Sequence, residues 1–444
     1  MTDCKTNDQL NFSFFQEKEL VANFSGGDIS SDSGLLLIRK YEEKIKYFDQ
    51  LTRCIDDRRD QRYINHSLKE MLRQRVYQIL AGYEDCNDAD YLRHDSTFKT
   101  IVGRLPDADA LSSQPTLSRL ENDLTRQDVI RIMNFLVENY ISSFKSMPKE
   151  IVIDIDSTDD EVHGNQQLNF FHGYYDQYQY LPLIISANQH LLAAALRPGT
   201  VGNMKLVIPL MKKIIKKIRQ VFPGVKIIIR ADGGFSSPRF YDFLEKYDDL
   251  IYYCGIGRNP VLERESGEFE SKAKKLFEQK NTTQQVFGEF SYSAKSWETK
   301  QRRVIVKAEH TTHGRNLRYL VTNNKILDPE AVYDVYRNRG ESERWIGELK
   351  NNFSADRLSC HDFLANQVRL LFYALAYELK TRFNEEILKG TDLWNKSIDT
   401  IRKVLIKIGA WIKQTSRKIY FYFASGYPYQ NLFMKIHKLI IALE

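Results

Sequence analysis

Cysteine is scarce in this chain. There are five, Cys4, Cys54, Cys86, Cys254 and Cys360, and no two are close in sequence. An odd, scattered set fits neither a disulfide framework nor a zinc site, and it points to a reducing cytosol. No apolar run reaches the roughly 20 residues of a membrane-spanning helix. The opening MTDCKTNDQL does not read as a signal peptide. Internal repeats, low-complexity tracts and a phosphate-binding GxxxxGK[ST] loop are all missing. CGIGRNP (254–260) is half a dinucleotide fingerprint without its third glycine. Acids are nearly absent from one stretch: residues 401–444 hold Arg402, Lys403, Lys407, Lys413, Arg417, Lys418, Lys435 and Lys438 against Glu444 alone. The whole chain carries a net charge of +6, so the remainder is close to neutral. A localised basic surface suits a polyanion such as DNA, although a solvated helix face would look similar.

What is present is a globular composition, 42% hydrophobic and 27% charged, in a chain of 444 residues. That length exceeds one ordinary core, so several domains are expected. Residues 1–145 read as mainly helical. In 64–85, Leu68, Met71, Leu72, Val76, Ile79 and Leu80 recur at helical spacing, and Gly82 lies near the end. LSSQPTLSRLEN (111–122) has Ser112 or Ser113 as a cap and Pro115 near the first turn. It could be the second helix of a helix-turn-helix, with Thr116, Ser118 and Arg119 facing DNA. Arg58, Arg59 and Arg62 add a basic cluster. From residue 150 the pattern changes. EIVIDIDST (150–158), YLPLIISAN (180–188), LLAAALRPG (191–199), VKIIIRADGG (225–234) and LIYYCGIG (250–257) read as strands. Helices are expected at 203–222 and 237–247. Residues 260–325 are polar with alternating runs, as in a small β-rich insertion. The order β-β-β-α-β-α-β followed by a helix describes an α/β, ribonuclease-H-like core, in which the first and fourth strands lie side by side.

That layout gives three acids a common destination. Asp156 sits at the first strand, Asp232 at the end of the fourth, and Glu343 on the later helix. Converging carboxylates repel one another unless a cation neutralises them, and oxygen-only ligands favour Mg²⁺ or Mn²⁺. Two such ions about 3.5–4 Å apart can activate an attacking oxygen and stabilise the leaving one in phosphodiester transfer. Gly233 and Gly234 would let a nucleic-acid backbone come close. Taken singly, each acid could equally be a strand-end cap or a surface charge. Asp154, two residues before Asp156 on the same strand face, is an alternative ligand. The run DIDSTDDEVHGN is not a calcium loop: Asp159 stands where the central glycine belongs, Asn165 where the final glutamate belongs, and a strand precedes it.

VYRNRGESERWIGELK (335–350) holds the remaining signal. On one helix, Tyr336, Arg339, Glu343 and Lys350 would fall within an arc of roughly 60°, beside Val335, Ile346, Leu349 and Phe353. A solvated face of i,i+4 ion pairs would look the same. With two strand-end acids expected opposite this edge, the spacing resembles the YREK signature of insertion-sequence DDE transposases of the IS-four-like superfamily. DST (156–158) and RADGGF (230–235) resemble that superfamily's two aspartate motifs. DSTDDEVHGNQ, FFHGYYDQYQYLPL, LRPG and SRLEN are similar to its thirteen-eighty branch, and the likeness runs from about residue 20 to 435.

The resemblance implies cut-and-paste transposition by a metal-dependent DNA endonuclease and strand transferase. Its partners would be terminal inverted repeats and target DNA, bound by a cytoplasmic protein that pairs two ends as a homodimer. Asp156, Asp232 and Glu343 would hold two Mg²⁺ or Mn²⁺ ions. Arg339, Lys350 and Tyr336 would hold phosphates, Gly347 would leave room for the strand, and Arg119 would read DNA. Trp297 would stack on a base flipped from a hairpin end, or else pack its own domain's core. The implied regions are 1–145 for end binding, 146–259 for the first part of the core and 260–326 for the β-rich insertion. Residues 327–375 would carry the helix with Glu343, and 376–444 a basic, helical C-terminal region for dimerisation or DNA contact. A ribonuclease-H-fold nuclease without strand transfer and a non-catalytic DNA-binding regulator are the rival readings.

Overall fold

The computed structural model describes residues 9–173, 176–298 and 300–443. Cys4 and Glu444 lie outside them. The chain forms two compact units, one of residues 54–56 and 121–381, the other of residues 1–53, 57–120 and 382–444. The regions expected at 1–145 and 376–444 thus contribute largely to one unit, drawn from both ends of the chain.

The larger unit is built on an eight-stranded sheet. Its strands are β1 (Glu150–Ser157), β2 (Leu183–Ala187), β3 (His190–Ala195), β4 (Lys226–Ala231), β5 (Leu250–Ile256), β6 (Gln284–Tyr292), β7 (Arg302–Thr311) and β8 (Gly314–Thr322). The spatial order is β6-β7-β8-β5-β4-β1-β2-β3. β4 runs parallel to both β1 and β5, and every other pairing is antiparallel. The adjacency of the first and fourth predicted strands is therefore present. The continuous Val/Ile runs of β1 and β4 follow from burial on both sheet faces. On one face Ile153, Ile155, Ile227 and Ile229 pack with Met211, Ile214 and Ile218 of α1 (Val207–Val221) and Phe240 and Tyr241 of α2 (Pro238–Leu244). On the other, Ile228, Tyr253, Ile305 and Leu320 pack with Val332 and Tyr333 of α3 (Pro329–Arg337).

Three features differ from the expectation. Residues 260–326 are no separate insertion: they open with helices at Pro260–Glu265 and Gly267–Lys280, and their strands β6–β8 extend the central sheet through β5. Alternating sequence marks a half-buried strand but not the sheet it joins. A small three-stranded sheet, Asp160–Glu161, Phe170–His172 and Gln177–Tyr180, intervenes between β1 and β2. And α3 does not continue to residue 350. It stops at Arg337, α4 (Gly340–Gly347) follows, and a π-helical turn spans Glu348–Asn352.

In the other unit, the predicted helix spans Leu68–Ala81. Ser67 and Glu70 form its capping box, and Gly82 ends it with φ of +94°. The C-terminal stretch is not wholly helical. Ala410–Gln414 and Ile419–Phe423 form a hairpin that pairs with Ile29–Ser30, and a helix follows at Gln430–Ile441. The alternation in AWIKQ and IYFYF is the strand signal there. Among the described residues no helix is long and apolar enough to cross a membrane.

Candidate functional site

Strand register brings the first two acids together. Ala231 lies opposite Ile155 in the parallel β4/β1 pair, and the chain continues from these to Asp232 and Asp156. Both acids emerge at the carboxyl ends of neighbouring parallel strands, where open α/β sheets place their ligand sites. Asp156 Oδ1 accepts from the Ser157 N–H at 2.9 Å, and Asp232 Oδ1 from the Gly234 N–H at 2.8 Å. α4 supplies the third acid. An open cavity of about 340 Å³ is lined by Asp156, Ser157, Thr158, Asp232, Arg339, Glu343, Ile346, Gly347 and Lys350. Six of these residues were singled out from the sequence: Asp156, Asp232, Arg339, Glu343, Gly347 and Lys350.

Arg339 organises the cavity. Its guanidinium lies 2.9 Å from Asp156 Oδ2 and 3.2 Å from Glu343 Oε1, so one cation bridges two of the three acids. Glu343 remains largely exposed and Asp156 largely buried. Burial pushes the Asp156 carboxyl up to about 6, with nearby Asp232 adding to the rise and Arg339 opposing it. Ser342, which the sequence reading missed, places its hydroxyl 3.2 Å from Asp156 Oδ2 and 2.8 Å from the Arg339 carbonyl. Its only sequence signal is a position one turn beyond Arg339. Burial raises the pKa of Tyr336, whose ring lies 5.9 Å from the Arg339 guanidinium carbon. Close packing demands glycine at 255: a Cβ there would sit 2.8 Å from the Gly233 nitrogen and 3.0 Å from the Tyr336 hydroxyl.

The acid-rich run after β1 divides by environment. Asp154 is opposite Arg230 and accepts two hydrogen bonds from it, each 2.7 Å. Arg230 also donates to the Val335 carbonyl at 3.1 Å, which ties α3 to the sheet. Asp154 is thus engaged in a buried structural pair, while Asp156 lines the cavity. Asp159 holds Lys350, whose ammonium donates to its carbonyl at 2.8 Å and its carboxylate at 3.1 Å. Burial opposes ionisation of Asp159, but Lys350 outweighs it and lowers the pKa. Asp160 is buried with neither carboxylate oxygen hydrogen-bonded, and burial together with the Asp356 charge pushes it up to about 8. Behind the π-turn, Lys380 donates to both oxygens of Glu348 at 2.8 and 2.9 Å, a buried pair that anchors the segment carrying Lys350.

Two other expected residues lie away from the cavity lining. Trp297 does not face solvent. It is 4% exposed, edge-on to Tyr241 and Tyr292, with the Arg302 guanidinium 5.2 Å from its ring. Arg302 is turned inward onto Asp242 and Glu245, and Lys300 pairs with Asp242, so this basic cluster is neutralised locally. Arg119 is exposed on the helix Gln114–Asp123, with its guanidinium near the Pro115 carbonyl and the Thr116 hydroxyl. Residues 103–113 separate that helix from Ser96–Val102. A helix-turn-helix joins its helices by three or four residues, so the expected motif is not formed by this pair. Arg59 and Arg62 are tied to Asp57 and Asp60.

The donor set suits a hard divalent cation. Asp156, Asp232, Glu343, Ser157 and Thr158 offer only oxygen, the donor type that hard divalent cations prefer. As the side chains stand, no three acidic, histidine or cysteine groups among the described residues are close enough to hold an ion. Arg339 supplies the positive charge between Asp156 and Glu343.

Comparison with known proteins gives the family. The family model described as "Transposase DDE domain group 1" matches residues 12–444, and the chain belongs to that family. No curated protein matches it. Among solved structures, the chain is similar to a piggyBac transposase in a cryo-EM synaptic complex with hairpin DNA. The two are 12% identical, with 84% of this chain and 79% of that chain covered and a TM-score of 0.41, too slight a likeness to transfer any residue role.

Proposed function

We propose that the protein is a cut-and-paste transposase of the IS-four-like superfamily, in the thirteen-eighty branch, with Asp156, Asp232 and Glu343 as its DDE triad. The observation that carries this reading is the register that delivers Asp156 and Asp232 side by side, at the cavity that α4 closes with Glu343. The strand order β5-β4-β1-β2-β3, with β4 parallel to β1, supports a ribonuclease-H-like core. Two Mg²⁺ or Mn²⁺ ions held by the triad would activate the attacking oxygen and stabilise the leaving one. Arg339 presents a planar fork of donors suited to a phosphate, and Lys350 a point charge. Tyr336 would donate its hydroxyl to a phosphate beside them. Ser342 and Arg339 orient Asp156, and the Lys380–Glu348 pair fixes the π-turn that bears Lys350. Terminal inverted repeats are the substrate of this reading, paired by a homodimer in the bacterial cytoplasm.

Asp232→Asn tests it. With Mg²⁺ and DNA carrying the element's ends, cleavage and strand transfer should be abolished while end binding persists; wild-type cutting would remove Asp232 from the triad. Asp154→Asn beside Asp156→Asn separates the two strand acids, because only the second should lose catalysis with the protein intact. Inverted repeats flanking the gene, bordered by short direct duplications, distinguish a transposase from a nuclease that only cuts.

A further inference from the structure

The C-terminal hairpin carries an exposed row of aromatic side chains. Within it, Trp411 lies opposite Tyr422 and Lys413 opposite Tyr420. Strand alternation turns Ala410 and Ile412 inward and leaves these four side chains on one open face. Trp411 is 44% exposed, Tyr420 37% and Tyr422 48%. The rings form a ladder: Trp411 and Tyr422 are 5.2 Å apart and 24° from parallel, Tyr422 and Tyr420 5.7 Å apart and 11° from parallel. Gly27 supports the indole from below, with φ of +78° and space only for bare backbone, since a Cβ there would lie 2.7 Å from Trp411 Nε1. At the turn, the Thr415 N–H donates to the Lys418 carbonyl at 2.8 Å, and Arg417 and Lys418 project into solvent. From Thr400 to Leu443 the sequence contains no carboxylate.

Exposed aromatic rows of this size usually mark a contact surface. The charge decides which contact. A second copy of the hairpin would bring the same sign of charge to the same face, whereas a nucleic-acid strand offers flat bases to the rings and phosphates to the cations. Bases inside a duplex are already stacked, so parallel ring faces favour unpaired ones. We propose that this hairpin is a base-stacking platform for unpaired nucleotides of a DNA strand, with Trp411, Tyr422 and Tyr420 under the bases and Lys413, Arg417 and Lys418 on the phosphates. The choice of DNA as the polyanion rests on the proposed function; the platform itself does not depend on the catalytic triad.

The test uses the full chain in EDTA, so that binding is read without cleavage. The ligands are a fluorescent oligothymidylate of about 20 nucleotides and a blunt duplex of equal length, both followed by anisotropy. Trp411→Ala and Tyr422→Ala should each weaken single-strand binding on the order of tenfold and leave duplex binding unchanged. Trp411→Phe, which keeps a ring, should retain most of the affinity and guards against a folding defect. Lys413→Ala, Arg417→Ala and Lys418→Ala combined should weaken both ligands and flatten the salt dependence. Single-strand affinity unchanged in Trp411→Ala, or both ligands weakened equally, overturns the platform. So does a sedimentation shift from dimer to monomer with single-strand binding intact, which would assign the face to a second copy. Asp232→Asn should bind the oligonucleotide as the wild type does, so failure of the platform and failure of the catalytic assignment are read separately.

Discussion

Replacing Asp156 with Asn should remove catalysis and yet strengthen the fold, by an amount that depends on pH. The carboxyl stands at about 6 in the native protein against an ordinary 3.8. A folded-state pKa above the unfolded one means that the native state keeps a proton the unfolded chain has lost. The acid's contribution to stability is therefore intact below about pH 4 and is lost as pH rises through 6. The displacement corresponds to about 3 kcal/mol at full ionisation. Asn resembles the protonated acid and cannot ionise. The stability gain of Asp156→Asn over wild type should thus be under about 1 kcal/mol at pH 4 and rise to about 3 kcal/mol at pH 7.5. Hydrogen exchange of peptides from β1 and α4, in EDTA, reads the opening free energy of this unit without assuming that the two units unfold together. Titrating groups that do not interact with Asp156 are common to both proteins and cancel in the difference. Adding Mg²⁺ should then narrow the gap, because an ion bound only by the native wild type stabilises it by mass action. A difference that stays flat from pH 4 to 7.5, or that grows in favour of the wild type, refutes the environment assigned to Asp156.

Trp297→Ala should cost about 3–5 kcal/mol of stability, because it empties a packed aromatic site, and first- and second-strand cleavage should fall together with the folded fraction. Thermal unfolding beside a two-step cleavage assay checks this; a stable variant that loses only the second cut would restore the base-flipping role. Gly255→Ala should cost about 1–3 kcal/mol and slow cleavage, since the added Cβ presses on Gly233, just after Asp232, and on the Tyr336 hydroxyl. Turnover equal to wild type would show that the turn yields without moving the acid.

The placement of the cavity's acids was legible because it depends on local pattern. Doubly buried strands read as unbroken Val and Ile runs, and polar residues at their ends announce where the chain leaves the sheet. The helix end at Gly82 was equally plain, whereas the capping box of Ser67 and Glu70 emerged only in the structure. The break between Arg337 and Gly340 was not plain, because the helical spacing of Tyr336, Arg339 and Glu343 runs through it and outweighed the weak helix formers Asn338 and Gly340. Nor was Ser342, whose hydroxyl acquires meaning only once Asp156 stands against it.

By itself the sequence determined the strands β1–β5, the helices between them, their order, and the acids and cations each would carry, since periodicity and capping act between near neighbours. Tertiary structure decided what those residues face. It attached β6–β8 to the central sheet, because a strand edge pairs with whichever edge the fold offers. It gave Asp154 to Arg230 and left Asp156 at the cavity, although the two lie on one strand face. It buried Trp297 and exposed Trp411, both flanked by lysine and arginine in sequence, because only long-range packing determines which side of a strand or turn is covered.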